Sequence, residues 1–563
     1  MTTGEEEERM SNKNIRKSDT GFLLQGTILA AASIISRIIG LVYRVPLTAI
    51  IGKTGNDFYG TAYEIYNIIL LISSYSLPLA VSKLVAARMA KGQAKDAYRV
   101  LKGSLLFAGV SGTAAMAIVY FGADFFTGTL LKTPLSSIAL KVLAPTLLIV
   151  AIVGVFRGFF QGLNTMMPSA ISQIAEQIMN AVVSVVAAWL LFSYGAKVGA
   201  VLGDEDAYAA AYGAAGGTAG TLAGAATALI FILFVFVTFR RRFLRKVRRD
   251  RTKVKEAFGT MMKVLILTTI PVLLSTTIYN ISSIIDNGIF KNIAHLQGYD
   301  ATQISEWWGV FTGQYKVLIN VPVSIASAMS ASCVPSLTAA FHAGEKKSVR
   351  TQIHSSTRFI MVIAIPCAVG MAVLAQPIMR LLFNDADPLS GQMMMAGAIA
   401  VVFYSLSTLS NGLLQGIDRL KVPVKNAAVA LVLHIVFLVG CMLFFHLNIF
   451  AVVLANAFYA LCMCVLNGLA VRRYSGTRQN LKTTYLVPIA ASAVMGVAVF
   501  GSYRLLELLS GYNAVATIVS IIVGVAVYAV ALLLMKGLTE EDLKRFPKGY
   551  LLVNIAKKLR LMK

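Results

Sequence analysis

The 563-residue chain is 57% hydrophobic and only 14% charged, with a mean hydropathy of +0.72. An ordinary soluble domain carries about 25% charged residues, so a water-soluble fold is excluded: no aqueous core could hide this much apolar surface. The net charge of +25 does not point to nucleic acid, because the 51 Lys and Arg residues gather in alternate polar connections, the positive-inside pattern of a membrane protein.

Residues 1–21, with Glu5 to Glu8 followed by Lys13, Arg16 and Lys17, read as a solvated cytoplasmic tail without the apolar core of a signal peptide. Apolar runs of about twenty residues, the length that crosses ~30 Å of hydrocarbon as a helix, then predict spans over 22–45, 58–82, 103–123, 138–162, 168–194 and 208–238. These six make a first lobe, 22–238. A basic cytoplasmic linker, 239–260, leads to spans over 261–285, 309–333, 358–380, 391–416, 423–446 and 448–471, a second six-helix lobe covering 261–471. The segment 472–535 holds two further spans, 484–505 and 513–535, and 536–563 is a basic amphipathic cytoplasmic tail. The fold class is an all-α polytopic membrane protein of about fourteen transmembrane helices.

With the N-terminus inside, the cytoplasmic connections carry Lys83 to Lys102, Arg240 to Lys255, Lys346 to Arg350, Arg419 to Lys425 and Arg472 to Lys482. The opposite loops hold Asp204, Glu205, Asp206, Asp300, Glu306, Asp385 and Asp387, so both termini are expected on the cytoplasmic side of the plasma membrane. Trp307 and Trp308 precede a span on the outer side, where amphipathic rings mark the interface. The five cysteines all fall in apolar segments, as small hydrophobes rather than as a disulfide or metal framework. Gly213, Gly216, Gly217, Gly220 and Gly224 recur at the small-xxx-small spacing that lets helix backbones approach closely.

A junction occurs twice. Gly158-Phe-Phe-Gln161-Gly162-Leu-Asn164 precedes Pro168, and Gly412-Leu-Leu-Gln415-Gly416-Ile-Asp418 precedes Pro423, 254 residues later (412 minus 158). A weaker echo joins Leu84-Val-Ala-Ala87 to Leu337-Thr-Ala-Ala340. Repeats six spans apart share one orientation, so the two six-helix lobes are expected to be related by a pseudo-two-fold axis along the membrane normal, around a central cavity.

A charge at the bilayer centre costs about 3 kcal/mol on insertion scales, so ions inside spans are the functional candidates. They are Arg37 and Arg44 on one face of the first helix, Glu64 and Asp57 of the second, Lys316 and Asn320 one turn apart, and Asp286, Asn287 and Asn280 at the end of the seventh. Gln173, Glu176, Gln177 and Asn180 form a polar stripe on the fifth helix. The alternatives are structural. Arg44, Asp57 and Asp286 stand close enough to helix ends to snorkel, and an Arg37 to Glu64 pair would merely fix packing. The Glu176 stripe would serve as interhelical hydrogen-bond glue. Arg157 reads as snorkelling, and His434 as a satisfied core histidine rather than a proton relay. The cations suit an anionic headgroup, since a guanidinium gives bidentate bonds to phosphate. Neither an ATP-binding loop nor a catalytic or zinc spacing occurs, so the chain is read as a transporter and not an enzyme.

Ser36-Arg37-Ile-Ile-Gly40-Leu-Val-Tyr-Arg44, followed by Asn56-Asp57-Phe58-Tyr59, resembles the first-helix signature of MurJ-type lipid II flippases, within the multidrug/oligosaccharidyl-lipid/polysaccharide (MOP) flippase superfamily. Gln314-Tyr-Lys316-Val-Leu-Ile-Asn320-Val-Pro322 looks like that family's eighth-helix segment, and the chain is most similar to the branch with stage V sporulation protein B-like polysaccharide biosynthesis proteins. The resemblance implies alternating access moving undecaprenyl-pyrophosphate-linked glycan, foremost the peptidoglycan precursor lipid II, to the outer leaflet. Arg37 and Arg44 would engage the diphosphate, although the second family arginine usually comes one residue earlier. Asp57 falls where the family has an acid, Lys316 stands beside a family arginine, and Asn320 replaces a family glutamate. These departures leave Na+, H+, Cl− and the membrane potential all open as drivers; no cofactor or metal is expected. The last two spans resemble helices that line a groove for the lipid tail. The implied partners are the lipid-linked glycan, membrane lipids and the cell-wall synthesis machinery, with the chain acting as a monomer. Alternatives are a flippase for capsular or spore polysaccharide units and a cation-coupled multidrug exporter.

Overall fold

The structure, a computed structural model, describes residues 31–74, 77–250, 259, 263, 280–477, 479–535 and 537. The described residues are almost all helical and contain no strand. The chain divides into two compact units, 1–292 and 293–563. In the first, α1 is Ala31–Val42, α2 Arg44–Ser73, α3 Leu77–Ala90 and α4 Ala94–Asp124, closed by a π-turn over Phe125–Leu130. Helices α5 (Ser136–Gly162), α6 (Met167–Leu202), α7 (Glu205–Arg249) and α8 (280–296) follow. In the second unit α9 is Ala301–Val310, and a π-turn, Phe311–Tyr315, joins it to α10, Lys316–His342. Then come α11 (Lys346–Val373), α12 (Ala375–Phe383), α13 (Pro388–Gly397), α14 (Ala400–Gly416), α15 (Lys421–Phe445) and α16 (Asn448–Ser475). The last two are α17 (Val487–Ser510) and α18 (Asn513–Leu534).

Eleven of the described helices are long and apolar enough to cross a membrane, or up to twelve if α13 and α14 together make one bent span. The expected span 261–285 lies largely outside the described residues, as does the first part, 22–30, of the span 22–45. Helices overrun the apolar runs that revealed them, because hydropathy marks only the lipid-covered part. The clearest case is α7: residues 239–249 continue the helix for about three turns instead of opening a linker. The overhang is held by Phe243, which is buried edge-to-face against Phe159 (5.2 Å) and stacked with Phe239 (5.8 Å).

Two breaks have local causes. Tyr315 packs its ring on Gly397, where any Cβ would collide with it, and its hydroxyl donates to the Gly397 carbonyl at 3.2 Å. That takes up a carbonyl of the helix, and α13 and α14 bend by 44° there. In α2 the backbone turns left-handed at Gly52 (φ 70°), a conformation that glycine alone adopts without strain. Asn56 Nδ2 then donates to the Gly52 carbonyl at 2.7 Å, satisfying a carbonyl at the kink, and Thr48 steadies Asn56 at 3.2 Å.

In the glycine stripe of α7, Gly216, Gly220 and Gly224 lie against α6, while Gly217 meets Tyr59 and Leu47 of α2. A Cβ at Gly216 would strike the Ala187 carbonyl, at Gly220 it would reach the Ser184 backbone, and at Gly224 it would stand 2.6 Å from the Glu176 carbonyl oxygen. Since these obstacles are backbone, no rotamer relieves them. Gly220→Leu is expected to cost about 3 kcal/mol or more, read as a lower midpoint of thermal unfolding in detergent, while Gly109→Leu, at a site with open space, should leave it unchanged.

The repeated junction has the same geometry twice. After α5, Leu163, Asn164 and Thr165 donate to the carbonyls of Phe159, Gln161 and Phe160; after α14, Ile417, Asp418 and Arg419 donate to Leu413, Gln415 and Leu414. Asn164 and Asp418 are both left-handed, at φ 57° and 60°. Each helix also meets the same neighbour: Gly158 and Gly162 press on Pro78 and Val85 of α3, and Gly412 and Gly416 on Ser330 and Leu337 of α10.

Candidate functional site

Beyond its kink, α2 carries two functional faces at helical spacing. Asp57, Thr61 and Glu64 form one; Tyr59, Tyr63 and Tyr66 form the other. The acidic face meets α8. Lys291 places its ammonium 2.5 Å from Asp57 Oδ1, 3.1 Å from Thr61 Oγ1 and 2.6 Å from Thr133 Oγ1, which uses all three of its donors. The pair is sealed, with side chains 1% and 0% exposed. One turn back, Asn287 Nδ2 donates to Thr61 (3.1 Å) and to Glu64 Oε2 (2.8 Å), and Ser283 donates to Glu64 Oε1 at 2.6 Å. Asp286 is buried beside them and Asn280 is exposed at the start of the described helix.

These contacts revise four expectations. Asp57 does not snorkel; it lies in a dry ion pair, because α8 continues past 285 and brings Lys291 to it. Asp286 and Asn287 therefore stand within the helix rather than at its end. Glu64 is bound by Ser283 and Asn287, and no Arg37 to Glu64 pair forms among the described residues. Arg157 does not reach for the surface: its Nη2 lies 2.7 Å from Glu176 Oε2 and its Nε 2.8 Å from Ser172 Oγ, so Glu176 neutralises it.

The tyrosine face meets Arg44. Its guanidinium carbon lies 4.6 Å from the centre of the Tyr59 ring and 5.7 Å from that of Tyr63. Tyr59 and Tyr63 are themselves in ring contact at 4.7 Å, and the Tyr63 hydroxyl bonds Thr221 of α7. No described carboxylate lies within ion-pair distance of Arg44, which is half-buried. A ring face attracts a cation without taking up its N–H donors, so beyond its contact with the Tyr43 hydroxyl the guanidinium keeps donors for a ligand. Arg37 is exposed on α1, likewise without a carboxylate among the described residues. Its helix is held to α6 by Ser33 Oγ, 3.4 Å from Gln173 Oε1.

The second unit also sets a cation against aromatic rings. Lys316 Nζ lies 4.7 Å from the centre of the Phe311 ring and 5.8 Å from that of Trp308. Trp307 and Trp308 are buried, Trp308 completely, so they pack inside the protein rather than marking the interface. Asn320 is exposed one turn beyond Lys316. Gln314 Nε2, two residues before Lys316, donates to the buried Asp385 at 3.0 Å. His434 is a core residue whose Nδ1 lies 2.8 Å from the Ala455 carbonyl oxygen. No cluster of three or more metal-ligating residues occurs among the described residues.

Lys291, Tyr59 and Tyr63 are absent from the sequence-based candidates. The signal for Lys291 is its place four residues after Asn287, amid apolar residues that continue the helix.

Buried ions, cations without a carboxylate among the described residues and many membrane-length helices define a multi-pass membrane protein. The chain belongs to the polysaccharide biosynthesis protein family, whose model matches residues 23–341, more than half of its length; a MatE model also matches residues 315–439. Lipid II flippase MurJ of Bacillus subtilis (strain 168) is 26% identical over 529 residues, covering 90% of this chain and 94% of that protein. Stage V sporulation protein B of the same organism is 26% identical over 371 residues, 64% of this chain and 67% of that one. Among solved structures, lipid II flippase MurJ in an inward closed conformation superposes with a TM-score of 0.62 at 14% identity, covering 90% of this chain and 98% of that one. An inward-facing multidrug resistance MATE family transporter of the MOP superfamily gives 0.63 at 15% identity, covering 78% and 94%. The chain thus belongs to the polysaccharide biosynthesis protein family and shares its fold with MurJ and with MATE transporters of the MOP superfamily.

Proposed function

We propose that the protein is an alternating-access flippase carrying undecaprenyl-pyrophosphate-linked glycan, foremost lipid II, from the inner to the outer leaflet, with membrane potential or an ion gradient as its driver. One observation carries the reading: the membrane-embedded cations fall into two sets. Lys291 and Arg157 are neutralised by Asp57 and Glu176, whereas Arg44 rests on aromatic rings and Arg37 stands exposed, neither with a described carboxylate. Holding a cation in a span without a counter-ion costs about 3 kcal/mol, and an anionic cargo recovers that cost at the moment of transport. A diphosphate suits the arrangement because it accepts two-pronged bonds from guanidinium. The same cations would repel cationic drugs, which favours the lipid over the multidrug alternative. A relative named for lipid II supports the substrate class.

The test uses purified protein in vesicles with a fluorescent lipid II, with an undecaprenyl pyrophosphate bearing a different sugar, or with a cationic dye. Lipid II is expected to change leaflet fastest, and Arg37→Ala is expected to abolish that movement while the variant stays monodisperse. Export of the dye without lipid movement, or unaltered flipping by Arg37→Ala, would overturn the reading.

A further inference from the structure

The overhang of α7 carries seven cations and no acid in the segment Arg240–Arg249: Arg240, Arg241, Arg242, Arg245, Lys246, Arg248 and Arg249. All seven are exposed, and none forms an ion pair with a described residue. At 100° per residue they surround the helix on every side except the wedge occupied by Phe239, Phe243 and Val247. That wedge is packed onto the first unit. The end is fixed as well: the Lys95 backbone N–H, at the start of α4, donates to Asp250 Oδ2 at 2.8 Å.

We infer that this overhang is a binding collar for anionic phospholipid headgroups of the leaflet through which α7 leaves the membrane. The helix is continuous from its apolar part, so its cations are held at fixed heights. Counting from Thr238 at 1.5 Å per residue, Arg240 to Arg245 lie within about 10 Å of the end of the apolar run, and Arg249 about 16 Å beyond it. The first four therefore sit within about one Debye length (8–10 Å at physiological salt) of the end of the apolar run, where the headgroup layer begins, and the last three farther out. Charge spread around the helix fits a shell of separate headgroups, whereas a protein partner would cover one side. Arginine dominates, six of the seven, and its planar fork matches a phosphodiester better than an ammonium does. The collar ties the end of α7, and through Asp250 the start of α4, to the headgroup layer. It is separate from the embedded cations of the transport site and stands whether or not the cargo is lipid II.

The experiment is native mass spectrometry of the full-length protein in detergent, titrated with phosphatidylglycerol or phosphatidylcholine. Each near-surface cation contributes about a fivefold preference for anionic lipid. The variant Arg240→Gln/Arg241→Gln/Arg242→Gln/Arg245→Gln is expected to lose at least about tenfold in phosphatidylglycerol affinity on that basis, with phosphatidylcholine unaffected. Lys246→Gln/Arg248→Gln/Arg249→Gln, farther from the membrane, is expected to lose less. If the first variant does not fold, wild-type protein decides: raising salt from about 0.1 M to about 1 M shortens the screening length from about 10 Å to about 3 Å and should release phosphatidylglycerol selectively. Unchanged phosphatidylglycerol retention in the first variant, equal loss of both lipids, or retention indifferent to salt would overturn the collar; retention of an acidic protein in place of lipid would do so too.

Discussion

Arg44→Gln is expected to slow transport of a pyrophosphate-linked lipid by about tenfold to a hundredfold, the worth of a charge-assisted bond of about 1.5–3 kcal/mol, without lowering thermal stability. The expectation follows from how the residue is held. The Tyr59 and Tyr63 faces support the guanidinium through its quadrupole attraction, so glutamine gives up the charge but leaves no buried anion behind. Arg44→Lys keeps the charge and loses the fork, and should fall between the two. Leaflet exchange of a fluorescent substrate in vesicles, alongside unfolding in detergent, separates transport from stability. A variant that transports normally would remove Arg44 from the site; one that loses both together would make it a packing residue.

Lys291→Met has the opposite signature. It leaves Asp57 sealed without its cation, and breaking a buried pair from one side costs about 3–5 kcal/mol. A large drop in the unfolding midpoint is expected, with poor yield from the membrane. The double variant Asp57→Asn/Lys291→Met removes both charges and should recover most of the loss, since replacing both partners of a buried pair is often close to neutral. Equal damage from the single and double variants would show that Asp57 does not depend on Lys291. The pair fastens α8 to α2, and through Thr133 to the connection after α4.

The two classes of cation could not be separated by reading the chain. Hydropathy locates Arg37, Arg44 and Lys316 inside apolar runs, but whether a carboxylate meets a cation depends on helices far apart in sequence, as Asp57 and Lys291 are. Polar residues inside a span also imitate a helix end, so Asp286 and Asn287 hid the continuation of α8 that carries Lys291. The bend at Gly397 was invisible for the same reason: its cause is the Tyr315 hydroxyl, 82 residues away. What depends on local pattern was legible. Gly216, Gly220 and Gly224 of the small-residue stripe in α7 do face backbone of α6, and the duplicated sequence at Gly162 and Gly416 folds into two helix ends with matching hydrogen bonds. The tryptophans show the limit of such rules, since position beside a span suggested an interface whereas Trp308 is wholly enclosed.

The division between neutralised and carboxylate-free cations is tested most directly by the affinity of the purified protein for a pyrophosphate-linked lipid, measured for wild type, Arg44→Gln and Asp57→Asn/Lys291→Met at equal protein stability. Loss of about tenfold or more in affinity is expected for Arg44→Gln, corresponding to one charge-assisted bond, with wild-type affinity in the double variant. Retained affinity in Arg44→Gln, with loss in the double variant, would contradict the account.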